Sequence, residues 1–287
     1  MYNIGNQKFI NDTLEKNKLG AKKKFGQNFL TDQNILTAIT EASEIDKDTL
    51  VIEIGPGLGS LTEHLCKEAG FVLCYEIDSE LIPLLENNLS EYNNFLVINK
   101  DILTVDINND INKYKKDLSK VYVVANLPYY ITTPIILGLL SQTKLITRYV
   151  LMMQLEVADR ICGNPKTKDY NALSIAIGYR ALAKKVLKVP RTVFIPSPNV
   201  DSAVVRLDLY DNPMYVALDE NHFFKFIRVA FNQRRKTLIN NLSSEYNKDF
   251  IIKMLNDNNI KLTVRSEELS IKDFVELDNY IIHNYNK

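Results

Sequence analysis

At the end of an apolar run, the stretch Val123-Val124-Ala125-Asn126-Leu127-Pro128-Tyr129-Tyr130 sets a side-chain amide, a proline-fixed turn and an aromatic ring side by side. These residue types suit methylation of an amino group on a purine. Such a nitrogen is a poor nucleophile because its lone pair is shared with the ring, so a site that methylates it must hold the N–H2 with acceptors and turn the lone pair outward. The side-chain oxygen of Asn126 and the backbone carbonyl of Leu127 can be those acceptors, Pro128 fixes the turn, and Tyr129 can stack on the base. No strong base is required, because the amine becomes acidic as it takes the methyl group. A plainer reading stays open: a proline that terminates a strand and a tyrosine that covers the core.

The cofactor has to be read from a second stretch, Val51 to Leu65 (VIEIGPGLGSLTEHL), where an apolar run meets glycines at 55, 57 and 59 and then a helical pattern. A dinucleotide fingerprint counted from Gly55 wants a sixth-position glycine, and Ser60 stands there instead. Glu53, two places before the first glycine, would repel a pyrophosphate but can approach an amine or a ribose hydroxyl. Glu76, 21 residues after Gly55, falls at about the distance where an acid takes ribose hydroxyls. Asp101 ends a third apolar run, where a carboxylate can accept from an adenine amino group. Taken singly, each acid reads as an ordinary strand-end carboxylate. Jointly they describe a nucleoside pocket that welcomes positive charge, which S-adenosyl-L-methionine satisfies.

These residues need a sheet to bring them together. The runs 50–54, 71–77, 95–101, 121–127 and 149–155 read as strands, with helical patterns at 61–69, at 79–89 and from about Thr133 between them. Such alternation predicts an α/β fold with a parallel sheet covered on both faces, its ligand at the carboxyl ends of the strands. A further helix is predicted from Thr31. After a polar, Pro-containing break near residues 208–215 the remaining patterns are all helical, which predicts a main sheet domain over residues 1–210 and a small helical domain over 211–287.

Composition narrows the field. The chain of 287 residues has 46% hydrophobic residues, enough for a substantial core, and a formal net charge of zero, which removes any domain-wide positive field. Cys66, Cys74 and Cys162 form no C-x-x-C pair, so neither a disulfide framework nor a zinc site is expected, and a reducing cytoplasm fits best. His64, His222 and His283 are scattered, so no metal is expected. The absence of a paired H-x-E and C-x-x-C excludes a zinc deaminase. Neither a long apolar run nor a signal-peptide pattern is present.

Read together and in order, KFGQNFL, EIGPGLG, YEID, the Asp101 strand end, ANLPYYITTP, FIPSPNVDSAVVRL and AFNQRRKTLINNL resemble the KsgA (RsmA) family of small-subunit ribosomal RNA adenine dimethyltransferases, from about residue 16 to the end. The resemblance implies a Rossmann-like, S-adenosylmethionine-dependent methyltransferase sheet, which makes the domain over 1–210 the catalytic domain and the one over 211–287 an RNA-binding domain. It implies that Asn28 and Leu30 close over the cofactor, that Gly55 lines its methionine side, and that Glu76 binds the ribose. Asp101 would bind the adenine amino group, and Asn126 would lie between cofactor and substrate. Catalysis would rest on Asn126, Leu127, Pro128 and Tyr129, with Phe194 on the other face of the target adenine, although Phe194 also reads as a plain core residue. The substrate implied is a pair of adjacent adenines in a hairpin near the 3′ end of 16S ribosomal RNA in the immature small subunit, each receiving two methyl groups. A monomer is expected.

With zero net charge, RNA binding has to be local. Three blocks carry basic residues and no acid: Lys16 to Lys24, Arg180 to Arg191, and Lys225 to Lys236. Each separately reads as a solvated face; the second and third are the preferred phosphate contacts. Two further readings compete with this one: an erythromycin-resistance-type enzyme of large-subunit RNA, disfavoured by Leu127, DSAVVRL and QRRKTL, and a non-catalytic assembly factor, disfavoured by the intact Glu53, Glu76, Asp101 and Asn126. A nicotinamide dehydrogenase suffers from Ser60.

Overall fold

The structure, a computed structural model, describes residues 4–17, 19–22 and 25–285. The chain divides into two compact units, residues 1–158 with 184–209, and residues 159–183 with 210–287.

The first unit is built on a seven-stranded sheet. It opens with α1 (Gln7–Lys16), the two-residue strand β1 (Phe29–Leu30) and α2 (Gln33–Ser43). The expected helix from Thr31 is α2, and Asp32 caps it by accepting from the N–H groups of Asn34 and Ile35. Alternation then follows: β2 (Thr49–Ile54), α3 (Ser60–Glu68), β3 (Phe71–Tyr75), α4 (Ile82–Asn88), β4 (Phe95–Ile98), α5 (Ile107–Tyr114), β5 (Lys120–Asn126), α6 (Thr132–Gln142) and β6 (Arg148–Gln154). The chain continues through α7 (Leu155–Ile161) and later returns as β7 (Ala181–Val189), β8 (Phe194–Ile195) and β9 (Ser202–Leu209).

Strand order in the sheet is β4-β3-β2-β5-β6-β9-β7. The five strands read from the sequence are its parallel part, with Ile54 opposite Tyr75, Tyr75 opposite Ile98, and Asn126 opposite Met152. Their carboxyl ends therefore share one edge. Chain order runs outward from β2 through β3 to β4, then crosses to β5 on the other flank, so the sheet has its switch point between β2 and β5. Every residue of β2 is buried, which is why TLVIEI reads as a continuous run rather than an alternation.

The parallel expectation is incomplete, because β9 joins β6 antiparallel and β7 lies beyond it, making the sheet mixed. Residues 181–189, read from the sequence only as a basic block, are the edge strand. Lysines are compatible with an edge, where one side faces solvent. Separately, β1 pairs antiparallel with β8, Leu30 opposite Phe194.

The second unit holds α8 (Ala172–Gly178), α9 (Glu220–Ala230), α10 (Leu238–Leu242), α11 (Lys248–Asp257) and α12 (Ile271–Asn284) around Phe223, Phe226, Leu238, Met254 and Phe274. Its core also takes Tyr170, Ile175 and Tyr179. Those three lie in 159–183, a segment that the sequence reading assigns to the catalytic domain. Their aromatic and apolar side chains pack among the C-terminal helices, with Tyr179 4.9 Å from Phe223 between ring centroids, so the division does not fall at a single point near residue 210.

Candidate active site

The cavity at the switch point is lined by residues from β1 and from the carboxyl ends of β2, β3 and β5, together with the loop after β4. Asn28, Leu30, Gly55, Glu76, Asp101, Asn126, Leu127, Pro128 and Tyr129 all line it, as does Glu53. Asn126 and Tyr129 thus open into the same space as Gly55.

The glycine turn explains its own residues. Gly55 and Gly57 stand at φ +68° and +60°, a backbone region that costs side-chain-bearing residues strain. A methyl group added at Gly57 would press on the Phe29 ring at 3.2 Å, whereas at Gly55 it would meet nothing within 4 Å, so of the two only Gly55 has open space beside it. The Gly57 N–H donates to Glu76 Oε2 at 3.1 Å, and the Asp78 N–H donates to Glu76 Oε1 at 2.9 Å. Glu76 is thereby fixed in place with lone pairs to spare for a ligand hydroxyl. Asp101 is held by the Leu103 N–H on Oδ1 at 2.9 Å.

The cavity is rich in buried acids. Glu53 is 2% exposed and Glu76 4%. Burial pushes the Glu53 carboxyl up to about 8, only partly opposed by the Thr62 and Cys74 side chains. Burial likewise raises Glu76, against the N–H groups of Asp78 and Gly57. Among the described residues that line the cavity, Lys100 is the one basic side chain. Buried acids so arranged fit a ligand that brings its own positive charge and no phosphate.

At the other wall, Asn126 Nδ2 donates to the Asn28 carbonyl at 3.2 Å, which leaves the amide oxygen as its remaining acceptor. The Tyr129 hydroxyl and Ser202 Oγ share a hydrogen bond of 2.6 Å, and burial raises the phenol further from ionisation. Thr132 Oγ1 donates to the Pro128 carbonyl at 3.0 Å, pinning the turn. Phe194 departs from expectation. It is 3% exposed, packs in the core with Leu36, Val150 and Val204, and is absent from the cavity lining, so its ring serves the β1–β8 pairing and the core.

Several lining residues carry no signal distinctive enough to be found in the sequence. Ile77 and Leu103, 44% and 41% exposed, flank Glu76 and Asp101 in sequence and offer apolar surface for a flat ring. Tyr130, 56% exposed, stands at the cavity over Gly26, where a methyl group would meet its ring at 3.2 Å. Among the described residues, no three His, Cys, Asp or Glu side chains gather to hold a metal, and no helix is long and apolar enough to cross a membrane.

A model of the ribosomal RNA adenine dimethylase family matches residues 18–283. The chain belongs to that family. It is 50% identical over 271 residues to a ribosomal RNA small subunit methyltransferase A of Staphylococcus carnosus, covering 93% of this chain and 92% of the relative. The protein of the same name from Lactococcus lactis is 49% identical over 269 residues, again covering 93% and 92% of the two chains. Among solved structures, a dimethyladenosine transferase from Plasmodium falciparum superposes with a TM-score of 0.74 at 26% identity, covering 88% of this chain and 97% of that one. The 23S rRNA methyltransferase ErmE gives 0.69 at 25% identity, covering 91% and 100%. The chain is therefore an adenine methyltransferase of the ribosomal RNA dimethylase type, with the α/β methyltransferase fold expected of it.

Proposed function

We propose that this protein transfers methyl groups from S-adenosyl-L-methionine to the amino groups of two adjacent adenines in a hairpin near the 3′ end of 16S ribosomal RNA, giving N6,N6-dimethyladenosines in the immature small subunit. One observation carries the reading: the amide of Asn126 and the ring of Tyr129 open into the same cavity as Gly55, Glu76 and Asp101.

Bound there, the cofactor supplies an electrophilic methyl carbon on a sulfonium. Glu76 takes the ribose hydroxyls, Asp101 the adenine amino group, and Ile77 and Leu103 the faces of that ring. The open space beside Gly55 receives the methionine portion, near the negative charge that Glu53 develops. Asn28 and Leu30 close the opposite wall. The target adenine, taken out of its stack, lies on Tyr129, and stacking of this kind offsets extrusion by about 1–3 kcal/mol. Asn126 Oδ1 and the Leu127 carbonyl accept from its N–H2, and Pro128 keeps that carbonyl in place. Acceptors aimed at a nitrogen that gains positive charge stabilise the transition state more than the ground state.

Identity of 45–50% to small-subunit enzymes, against 25% to the 23S enzyme, favours the small-subunit substrate. The intact acids and Asn126 speak against a non-catalytic assembly factor. For RNA, exposed basic groups of the third block, Arg228, Arg235 and Lys236, are the proposed phosphate contacts, with Lys184 of the second. Other members are engaged by acids: Arg180 with Glu220 at 2.7 Å, Lys188 with Asp201 at 3.0 Å, Lys225 with Glu245 at 3.0 Å and Arg234 with Glu267 at 3.2 Å. In the first block, Lys22 is ion-paired, and Lys18, Lys23 and Lys24 lie outside the described residues. The protein is proposed to work as a cytoplasmic monomer without a metal. Incubation with methyl-labelled cofactor and under-methylated small subunits, followed by nucleoside analysis, is expected to yield dimethyladenosine from two adjacent positions. No label, or label in any nucleoside other than methylated adenosine, would overturn the reading.

A further inference from the structure

Asp78 stands two residues past Glu76, outside the cavity lining, and is 3% exposed. Its carboxylate collects donors from the start of the chain: Lys22 Nζ at 2.8 Å on Oδ1 and Gln27 Nε2 at 2.9 Å on Oδ2. Lys22 also reaches Glu80 at 3.0 Å, and its backbone N–H donates to Gln27 Oε1 at 2.7 Å. The Gln27 amide is therefore bound at both ends. Burial works against the ionised Asp78, yet Lys22, Gln27 and the Glu80 N–H outweigh it and hold the carboxyl below its ordinary range.

The next residue is Asn28. Its side chain donates to the Gly26 carbonyl at 3.0 Å, and its own carbonyl receives Asn126 Nδ2. An amide has one donor end and one acceptor end, so whatever binds Nδ2 decides where Oδ1 points. An unbroken chain of bonded neighbours thus runs from Asp78 through Gln27 and Asn28 to the amide of Asn126, all within the first unit.

We propose that Asp78 is a positioning residue which, through Gln27 and Asn28, fixes the acceptor end of the Asn126 amide toward the target amine. The proposal rests on the role given to Asn126 above. Without this hold the amide is free to turn over and present N–H2 to N–H2, two sets of donors facing each other, which cannot support the transfer. Asp78 also donates its backbone N–H to Glu76, so the same residue braces both the ribose-binding acid and the catalytic amide. Truncating its side chain removes only the second brace.

The test compares Asp78→Ala, Gln27→Ala, the double variant and the conservative Asp78→Asn, each checked for an unchanged melting temperature. Two readouts are used: the side-chain amide resonance of Asn126, identified by its loss in Asn126→Asp, and steady-state transfer to under-methylated small subunits. Expected are a displaced Asn126 resonance, a fall in kcat of about tenfold with the cofactor KM within about twofold, a double variant no worse than either single, and a smaller loss for Asp78→Asn. An unmoved resonance, an unchanged kcat, a loss confined to KM, or additive losses would overturn the proposal. Failure of the wild-type protein to methylate would instead refute the function, and the resonance would still report on positioning. Gln27→Ala, which leaves the buried carboxylate in place, keeps the test open should Asp78→Ala fail to fold.

Discussion

Both units bury carboxylates, and those that line the cavity are partnered differently from the one in the helical unit. In the helical unit, Asp278 is fully buried, pushed up to about 6 by burial, and bonded to His222 Nδ1 at 2.7 Å, with the Tyr246 hydroxyl 3.4 Å from the other ring nitrogen. Its counter-group comes from the protein itself and joins α9 to α12. In the sheet unit, Glu53 and Glu76 are as deeply buried, but they line a cavity and have backbone N–H groups, a hydroxyl and a thiol for company rather than a basic side chain. A buried acid with its own partner is architecture. A buried acid left facing a cavity is a place for a cationic ligand.

That contrast can be broken or sharpened by substitution. The largest effect is expected from Asn126→Ala: transfer falls by about 100-fold or more while cofactor affinity stays within about twofold, read by nucleoside analysis and calorimetry on one preparation. Glu76→Ala should weaken cofactor binding by about 10–100-fold, the cost of losing a charged hydrogen-bond acceptor worth about 1.5–3 kcal/mol. Equal affinity would remove the ribose role.

Glu53 makes a pH prediction whose sign follows from burial. Its folded-state pKa, about 8, lies above the ordinary 4.5, so between those values the folded protein holds a proton that the unfolded chain has released. Stability of the ligand-free protein should therefore fall as pH rises through that window, with a slope from this group of at most about 1.4 kcal/mol per pH unit. In Glu53→Gln that contribution should vanish, as measured by urea unfolding at a series of pH values.

Asp278→Asn, by contrast, should lower stability by about 1–3 kcal/mol and leave cofactor affinity untouched. A change in affinity would mean that the two acids are not distinct in kind. The smallest effect belongs to Arg235→Ala with Lys236→Ala, which should weaken RNA binding a few-fold and lower its salt dependence by about one unit of slope for each phosphate that is no longer neutralised.

The sheet was legible in the sequence where strands are buried on both faces. Thr49–Ile54 and Lys120–Asn126 are near-continuous apolar runs for that reason. Strand β7 was hidden because an edge position lets Lys184, Lys185 and Lys188 stand in it, which disguises a strand as a charge cluster. The two-residue pairing of β1 with β8 is shorter than any periodicity. In the site, the residues with distinctive chemistry, Glu76, Asp101, Asn126 and Tyr129, could be placed from strand ends alone. Phe194 could not, because an aromatic ring in a motif looks the same whether it faces a ligand or the core. Nor could Lys22 with Asp78, an ion pair 56 residues apart in the chain that only folding brings together.

The most direct test is a crystal structure of the protein with S-adenosyl-L-methionine bound. The ribose hydroxyls should lie on Glu76 and the methionine portion beside Gly55, with the sulfonium methyl directed toward Asn126 Oδ1 and the face of Tyr129. A cofactor bound elsewhere, or a methyl group turned away from those two side chains, would contradict the arrangement on which the methylation of adenine depends.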